Sequence, residues 1–272
     1  MRHYVKGIVA ACGLILHSAL AWAQPVPPAQ EAGPPAEVSW RVTGGSETIS
    51  LRDIARTGTP VDASPVAWRG HGPALLIQHL RRSGRREHRF EVSAGRAGDF
   101  VYETSLESLA RPESDSSARV DGRYEYRRYL FSDVLVRGLD IGAGAQGGLL
   151  YRRRSRHVPD GIEEAESRSA LLTAVVATAR FHRSPRVSVQ VSWTNGGHIG
   201  RSVERYSVDA AANRTRWGGG WLTELAIEAD VAVTRRTYVT IGYLRGDDGL
   251  LSSHRSFAGA RRALTIGVTY AR

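Results

Sequence analysis

The C-terminal stretch Arg261 to Arg272 alternates without a break. Leu264, Ile266, Val268 and Tyr270 fall on one face of an extended chain, and Ala263, Thr265, Gly267 and Thr269 on the other. Period-two alternation marks a strand with one apolar and one polar side. The same pattern recurs upstream. Between Arg186 and Thr194, Val187, Val189, Val191 and Trp193 alternate with Ser188, Gln190, Ser192 and Thr194. Between Trp221 and Val233, Leu225, Ile227, Val231 and Val233 alternate with Glu224, Glu228 and Asp230. From Glu87 to Glu103, Phe90, Val92 and Ala94 oppose Glu91, Ser93 and Gly95. Further strands are expected at Ala74 to Arg82, Arg123 to Phe131, Val134 to Arg154, Arg168 to Phe181 and Tyr238 to Leu244. The stretch Val38 to Leu51, interrupted by Gly44-Gly45, supplies one more.

The connections sort by length. Short turns are expected at Ser83 to Arg85, Ser132-Asp133, His182 to Pro185 and Arg235-Arg236. Long polar or Gly/Pro-rich loops are expected at Arg52 to Gly72, Ser105 to Ala118, Val158 to Glu166, Gly196 to Gly220 and Gly246 to Ala260. A long-short rhythm between strands of nine or more residues is that of an antiparallel meander that crosses a membrane. The expected fold is therefore all-β: an antiparallel up-and-down transmembrane β-barrel of about ten strands, or eight if two weaker strands drop out. A soluble secreted β-sandwich that binds polysaccharide is the competing architecture.

The N-terminus supports export. Arg2 and Lys6 precede an apolar run from Gly7 to Leu20, and Ala21-Trp22-Ala23 offers a small-residue cleavage site. Residues 1–23 read as a secretory signal peptide, 24–37 as a proline-rich periplasmic linker, and 38–272 as the barrel. The single cysteine, Cys12, lies within the signal, so no disulfide or cysteine-ligated metal is expected in the mature chain. After the signal no apolar run is long enough for a membrane helix, whereas a barrel needs only every second residue apolar.

The terminal strand resembles the C-terminal assembly signal of Gram-negative outer-membrane proteins, through Thr265, Gly267 and Tyr270. Arg272 stands where an aromatic residue is usual. The resemblance implies an outer-membrane location, reached through the barrel-assembly machinery, and implies no substrate.

Charge changes the picture inside and outside the barrel. The formal net charge is +10, nearly all from arginine. Charged residues on the polar faces of strands belong in the lumen, because arginine on a mid-membrane lipid face costs about 2–4 kcal/mol. Glu91, Arg123, Glu125, Arg127, Asp140, Arg180, Glu224, Glu228 and Asp230 form the expected lumen network, either filling a narrow barrel or lining a solute path. Arginine suits bidentate contact with phosphate. Arg152, Arg153, Arg154, Arg201, Arg205, Arg214 and Arg216 are therefore expected at outer-membrane lipid and lipopolysaccharide phosphates. Tyr102, Tyr151, Trp193, Trp217, Trp221, Tyr238 and Tyr270 fit interfacial aromatic girdles.

Chemistry is sparse. The one catalytic alternative to a structural, lipid-surface or narrow-channel role is a rim-located hydrolase using Asp247, Asp248 and His254, which lie close together in an expected outer loop. The histidines are isolated and lack metal-ligand spacing, and Gly218-Gly219-Gly220 lacks the Lys-Ser/Thr of a phosphate loop. No metal, no cofactor and no nucleic-acid partner is expected, and no motif specifies a small-solute ligand.

Overall fold

A computed structural model describes residues 37–55, 66–102, 114–133, 136–158, 162–184, 186–207, 213–251 and 255–272. The signal and all but the last residue of the proline-rich stretch lie outside these. Ten strands follow in order: β1 (Glu37–Ala55), β2 (Val66–Ser83), β3 (Arg86–Tyr102), β4 (Ser114–Ser132), β5 (Leu139–Val158), β6 (Ile162–Ser184), β7 (Val187–Tyr206), β8 (Arg214–Ala232), β9 (Thr237–Leu251) and β10 (Arg255–Ala271). Each pairs antiparallel with its neighbours in sequence, and β10 pairs with β1 from Ser39↔Ala271 to Ala55↔Arg255. The sheet is a closed barrel of ten, not eight, and a two-sheet sandwich is overturned.

The apolar faces read from the sequence point outward. Leu264 and Ile266 are each 61% exposed, and Val268, Tyr270, Val187, Val191 and Trp193 are exposed beside them. Trp40 and Val42 on β1, Leu75 and Ile77 on β2, Leu225 and Ile227 on β8 and Ile241 on β9 extend the same belt. Closure leaves no unpaired strand edge, and the belt supplies an apolar exterior. Those are the two conditions for a sheet to sit in hydrocarbon.

Most strands are longer than expected, and all are longer than a membrane span requires. They run from 15 residues in β9 to 23 in β6, where a tilted span needs about 9–11. A 20-residue strand at a tilt of roughly 40° rises about 50 Å, against an apolar band of about 25 Å. The short connections lie at one end, where Gly84 turns the β2–β3 hairpin with φ of +55° and Asp133 Oδ1 accepts from the Gly138 amide at 2.5 Å. At the other end the ladders continue through most of the expected loops. Gly196 to Gly220 is the clearest correction, since β7 and β8 stay paired from Gly196↔Leu222 to Glu204↔Arg214. Two of the glycines there are packing requirements. A Cβ at Gly196 would stand 2.2 Å from the Thr173 carbonyl oxygen, and one at Gly200 would stand 2.2 Å from that of Ser169.

Candidate functional site: the charged lumen

Strand β4 sets the interior. Ser117, Arg119, Asp121, Arg123, Glu125, Arg127 and Tyr129 are alternate residues, so all face the lumen, and all are buried. Long side chains on this wall need room beside them. The strands beside it along the wall provide room with Gly142, Gly144, Gly148, Ala170 and Ala174 on β5 and β6. A Cβ at Gly148 would come within 3.2 Å of Arg123 Cγ.

The charges form two tiers. In the one nearer the short turns, Arg41 of β1 donates from Nη2 to both oxygens of Asp230 at 2.9 and 2.8 Å. Its Nη1 lies 2.7 Å from Glu228, and its Nε donates to Thr269 at 2.9 Å. Arg89 of β3 reaches across the lumen to grip Glu228 of β8 with two bonds of 3.2 Å. Arg127 pairs with Glu125, and Glu87 accepts from Arg82 at 2.5 Å and from the Tyr129 hydroxyl at 3.2 Å. Gln78 donates to Glu91 at 2.9 Å.

In the second tier Arg123 of β4 bridges the lumen to Glu224 of β8 with a bidentate pair, Nη2 to Oε1 at 3.0 Å. Arg119 donates to Glu47 of β1 at 2.9 and 2.8 Å, to Asp121 at 2.8 Å and to Ser93 at 2.9 Å. Arg261 of β10 lies 3.3 Å from Glu47. A small apolar cluster of Leu150, Ala170, Leu172, Ala174 and Leu222 fills the remaining sector. Ion pairs that span the barrel, with side chains 0–12% exposed in the pairs joining β1, β3, β4 and β8, leave no wide aqueous path.

Below the first tier, on the side of the short turns, lies a vestibule of about 470 Å³. It is lined by charges of both signs, among them Arg82, Arg180, Asp140 and Asp230. Tyr238 also lines it, so this residue belongs to the lumen and not to a girdle. Asp140 and Arg180 are direct partners across β5 and β6.

Glu91, Arg123, Glu125, Arg127, Asp140, Arg180, Glu224, Glu228 and Asp230 therefore all occupy lumen-side positions, in the two tiers and the vestibule. Sequence reasoning missed Arg41, Glu47, Glu87, Arg89, Arg119 and Asp121. Extending the period of Arg123, Glu125 and Arg127 backwards by two and four residues would have found Asp121 and Arg119.

The arginines assigned to lipid phosphate divide. Arg153, Arg201 and Arg205 face outward and are exposed. Arg152 is corrected to the lumen, where it lines a cavity with Arg119 and Arg261. Arg154 falls two residues further along the same inward face of β5. Arg216 also turns inward, to Glu204 at 3.6 Å, and Arg214 shares its inward parity at the exposed strand end. The reason is parity: adjacent strand residues face opposite sides, so a run of arginines cannot serve one surface.

The rim-hydrolase arrangement also changes. Asp247 and Asp248 lie within β9, paired with Ala260 and Gly259, and not in a loop. Asp247 is exposed outside. His254 lies outside the described residues. Among the described residues no group of three or more His, Cys, Asp and Glu side chains could hold a metal.

No family model and no curated protein sequence matches the chain. Solved structures do. The outer-membrane protease OmpT from Escherichia coli superposes with a TM-score of 0.65 at 10% identity, over 89% of this chain and 99% of that one. The translocator domain of the autotransporter NalP from Neisseria meningitidis covers 98% of both chains at 10% identity, with a TM-score of 0.42. At such identity the likeness to OmpT speaks for the fold alone. With the closed sheet and the apolar belt, it shows that this chain has the fold of a ten-stranded antiparallel β-barrel, like that of this outer-membrane protein.

Proposed function

We propose that this protein is a sealed outer-membrane scaffold, which carries no solute through its lumen and holds a tall outer collar at the lipid surface. The observation that carries the reading is the Arg123–Glu224 bridge between opposite walls, with side chains 4% and 7% exposed. Small barrels have interiors filled by side chains, whereas an open aqueous channel belongs to barrels of about sixteen strands. The test is single-channel recording of purified protein in a planar bilayer. A silent membrane agrees with a sealed lumen, and reproducible unitary steps would replace it with the narrow-channel role.

The outer surface supports a lipid-facing role. Arg96, Arg153, Arg201, Arg245 and Arg262 are exposed on the outward faces of β3, β5, β7, β9 and β10, beyond the apolar belt. Guanidinium groups at that height suit lipopolysaccharide phosphates. Terminal strand β10 would be the part that the barrel-assembly machinery reads: Tyr270 is exposed outward, and Thr265 and Gly267 lie on the lumen side.

A further inference from the structure

The outward faces of β2, β3 and β4 change character row by row toward the short turns. Ile77 and Val92 are ladder partners in the apolar belt. The next row is His79, Phe90 and Tyr124, with Trp40 of β1 beside His79 at a ring-centroid distance of 4.5 Å. Arg81, His88 and Tyr126 follow, and Arg86 and Arg128 end the series at the β2–β3 turn. Rows lie about 7 Å apart along a strand. Apolar, then aromatic, then basic is the order of side chains met on leaving hydrocarbon for the headgroup layer.

Arg81, Arg86 and Arg128 are exposed and surround His88. Arg81 is its direct partner on β2, Arg86 lies two residues before it on β3, and Arg128 is its diagonal neighbour on β4. His88 Nδ1 stands 2.7 Å from the Tyr124 hydroxyl. Arg86 and Arg128 oppose each other directly, and like charges in that position repel. The outer faces of these strands supply no counter-charge. Glu87, Glu91 and Glu125 occupy inward positions, and the outward positions within 77–81, 86–92 and 122–128 hold no Asp or Glu.

We infer that this face binds the headgroup of an anionic phospholipid, with Arg81, Arg86 and Arg128 on its phosphate and with Phe90 and Tyr124 against the upper acyl chains. With the outer-membrane placement proposed above, on which this site rests, the short turns lie on the periplasmic side. The leaflet there is phospholipid and not lipopolysaccharide. Guanidinium groups suit bidentate contact with phosphate. A zwitterionic headgroup also brings a cation, which this face meets with three arginines and no carboxylate. The face therefore selects phosphatidylglycerol over phosphatidylcholine. It is separate from the outward arginines of the collar, which stand at the other end of the barrel.

The experiment loads the whole barrel into nanodiscs of equal parts phosphatidylglycerol and phosphatidylcholine. Native mass spectrometry of the released protein then counts the lipids that stay bound. The wild type should keep phosphatidylglycerol in preference. Arg86→Gln with Arg128→Gln should keep one fewer phosphatidylglycerol and as much phosphatidylcholine, and Arg81→Gln serves the same purpose if that variant does not load. Arg235→Gln with Arg236→Gln removes equal charge from the exposed β8–β9 turn, on the opposite side of the ring, and should match the wild type. Equal retention of the two lipids by the wild type, an unchanged count in the Arg86 and Arg128 variant, or an equal loss in the β8–β9 control overturns the site. A wild type that never enters the disc overturns the membrane placement and the site together.

Discussion

Glu47 of β1 reaches over the backbone of Gly95 on β3, two strands away, and places its Oε1 where a Cβ at residue 95 would be. Strand β2 lies between them. The absent side chain lets the carboxylate lie flat against the wall and meet Arg119 and Arg261.

Replacing that glycine should therefore act through the ion pairs. Gly95→Val should push Glu47 off Arg119 and leave both charges buried and badly paired, at a cost of about 3–5 kcal/mol. Gly122→Ala is the control. It lies on the outward face of β4, with nothing within 4 Å of its would-be Cβ, and should be near neutral. Urea unfolding of the two variants in detergent micelles gives the comparison. Equal midpoints would mean that Gly95 has no role in seating Glu47.

The fold was legible where the membrane wrote it. Lipid on one side and a polar lumen on the other force a period of two, so Leu264, Ile266, Val268 and Tyr270 announce β10, and Val187, Val191 and Trp193 announce β7. Above the membrane the contrast disappears, because water bathes the outside and the inside is polar too. Residues 196–204 and 214–220 carry the same ladder as the rest of β7 and β8, but glycine and arginine on both faces look like a loop. The lumen charges suffered from the same gap. Arg119 and Asp121 fell just outside the expected strand at Arg123 to Phe131, and Glu47 sat on the stretch interrupted by Gly44-Gly45. Arg152 next to Arg153 shows the remaining limit: a basic run reads as one patch until the register assigns alternate residues to opposite faces.

The Arg123–Glu224 bridge offers a sharper energetic test. Glu224→Gln should destabilise the barrel by about 3–5 kcal/mol, because it strands a buried guanidinium. Arg123→Met with Glu224→Leu should recover most of that loss, since two apolar groups need no partner. The same unfolding assay reads both. A double variant no better than the single one would locate the loss in packing and not in charge.

Sealing makes a separate demand. Arg89→Ala with Arg123→Ala removes one cross-lumen arm from each tier, since Arg89 reaches Glu228 and Arg123 reaches Glu224. Wild-type protein should be silent in a planar bilayer, and the double variant should give small unitary steps. Steps of equal size from both proteins would show that the arginines do not close the lumen.

The outer surface carries a test whose sign reverses with the solvent. Arg245 of β9 and Arg262 of β10 are direct partners across the ladder and both are exposed outward. Like charges in that position repel, and an opposite pair in their place gains on the order of 0.2–1 kcal/mol. In zwitterionic detergent free of lipopolysaccharide, Arg262→Glu should therefore raise the thermal midpoint slightly. Lipopolysaccharide should stabilise the wild type, because a phosphate between the two guanidinium groups turns repulsion into two charge-assisted contacts. The same lipid should stabilise the variant less, since the introduced carboxylate repels that phosphate. The ranking of the two proteins should thus invert when the lipid is added. A ranking that stays the same in both media would assign the outward arginines to solubility of the collar and not to lipid contact.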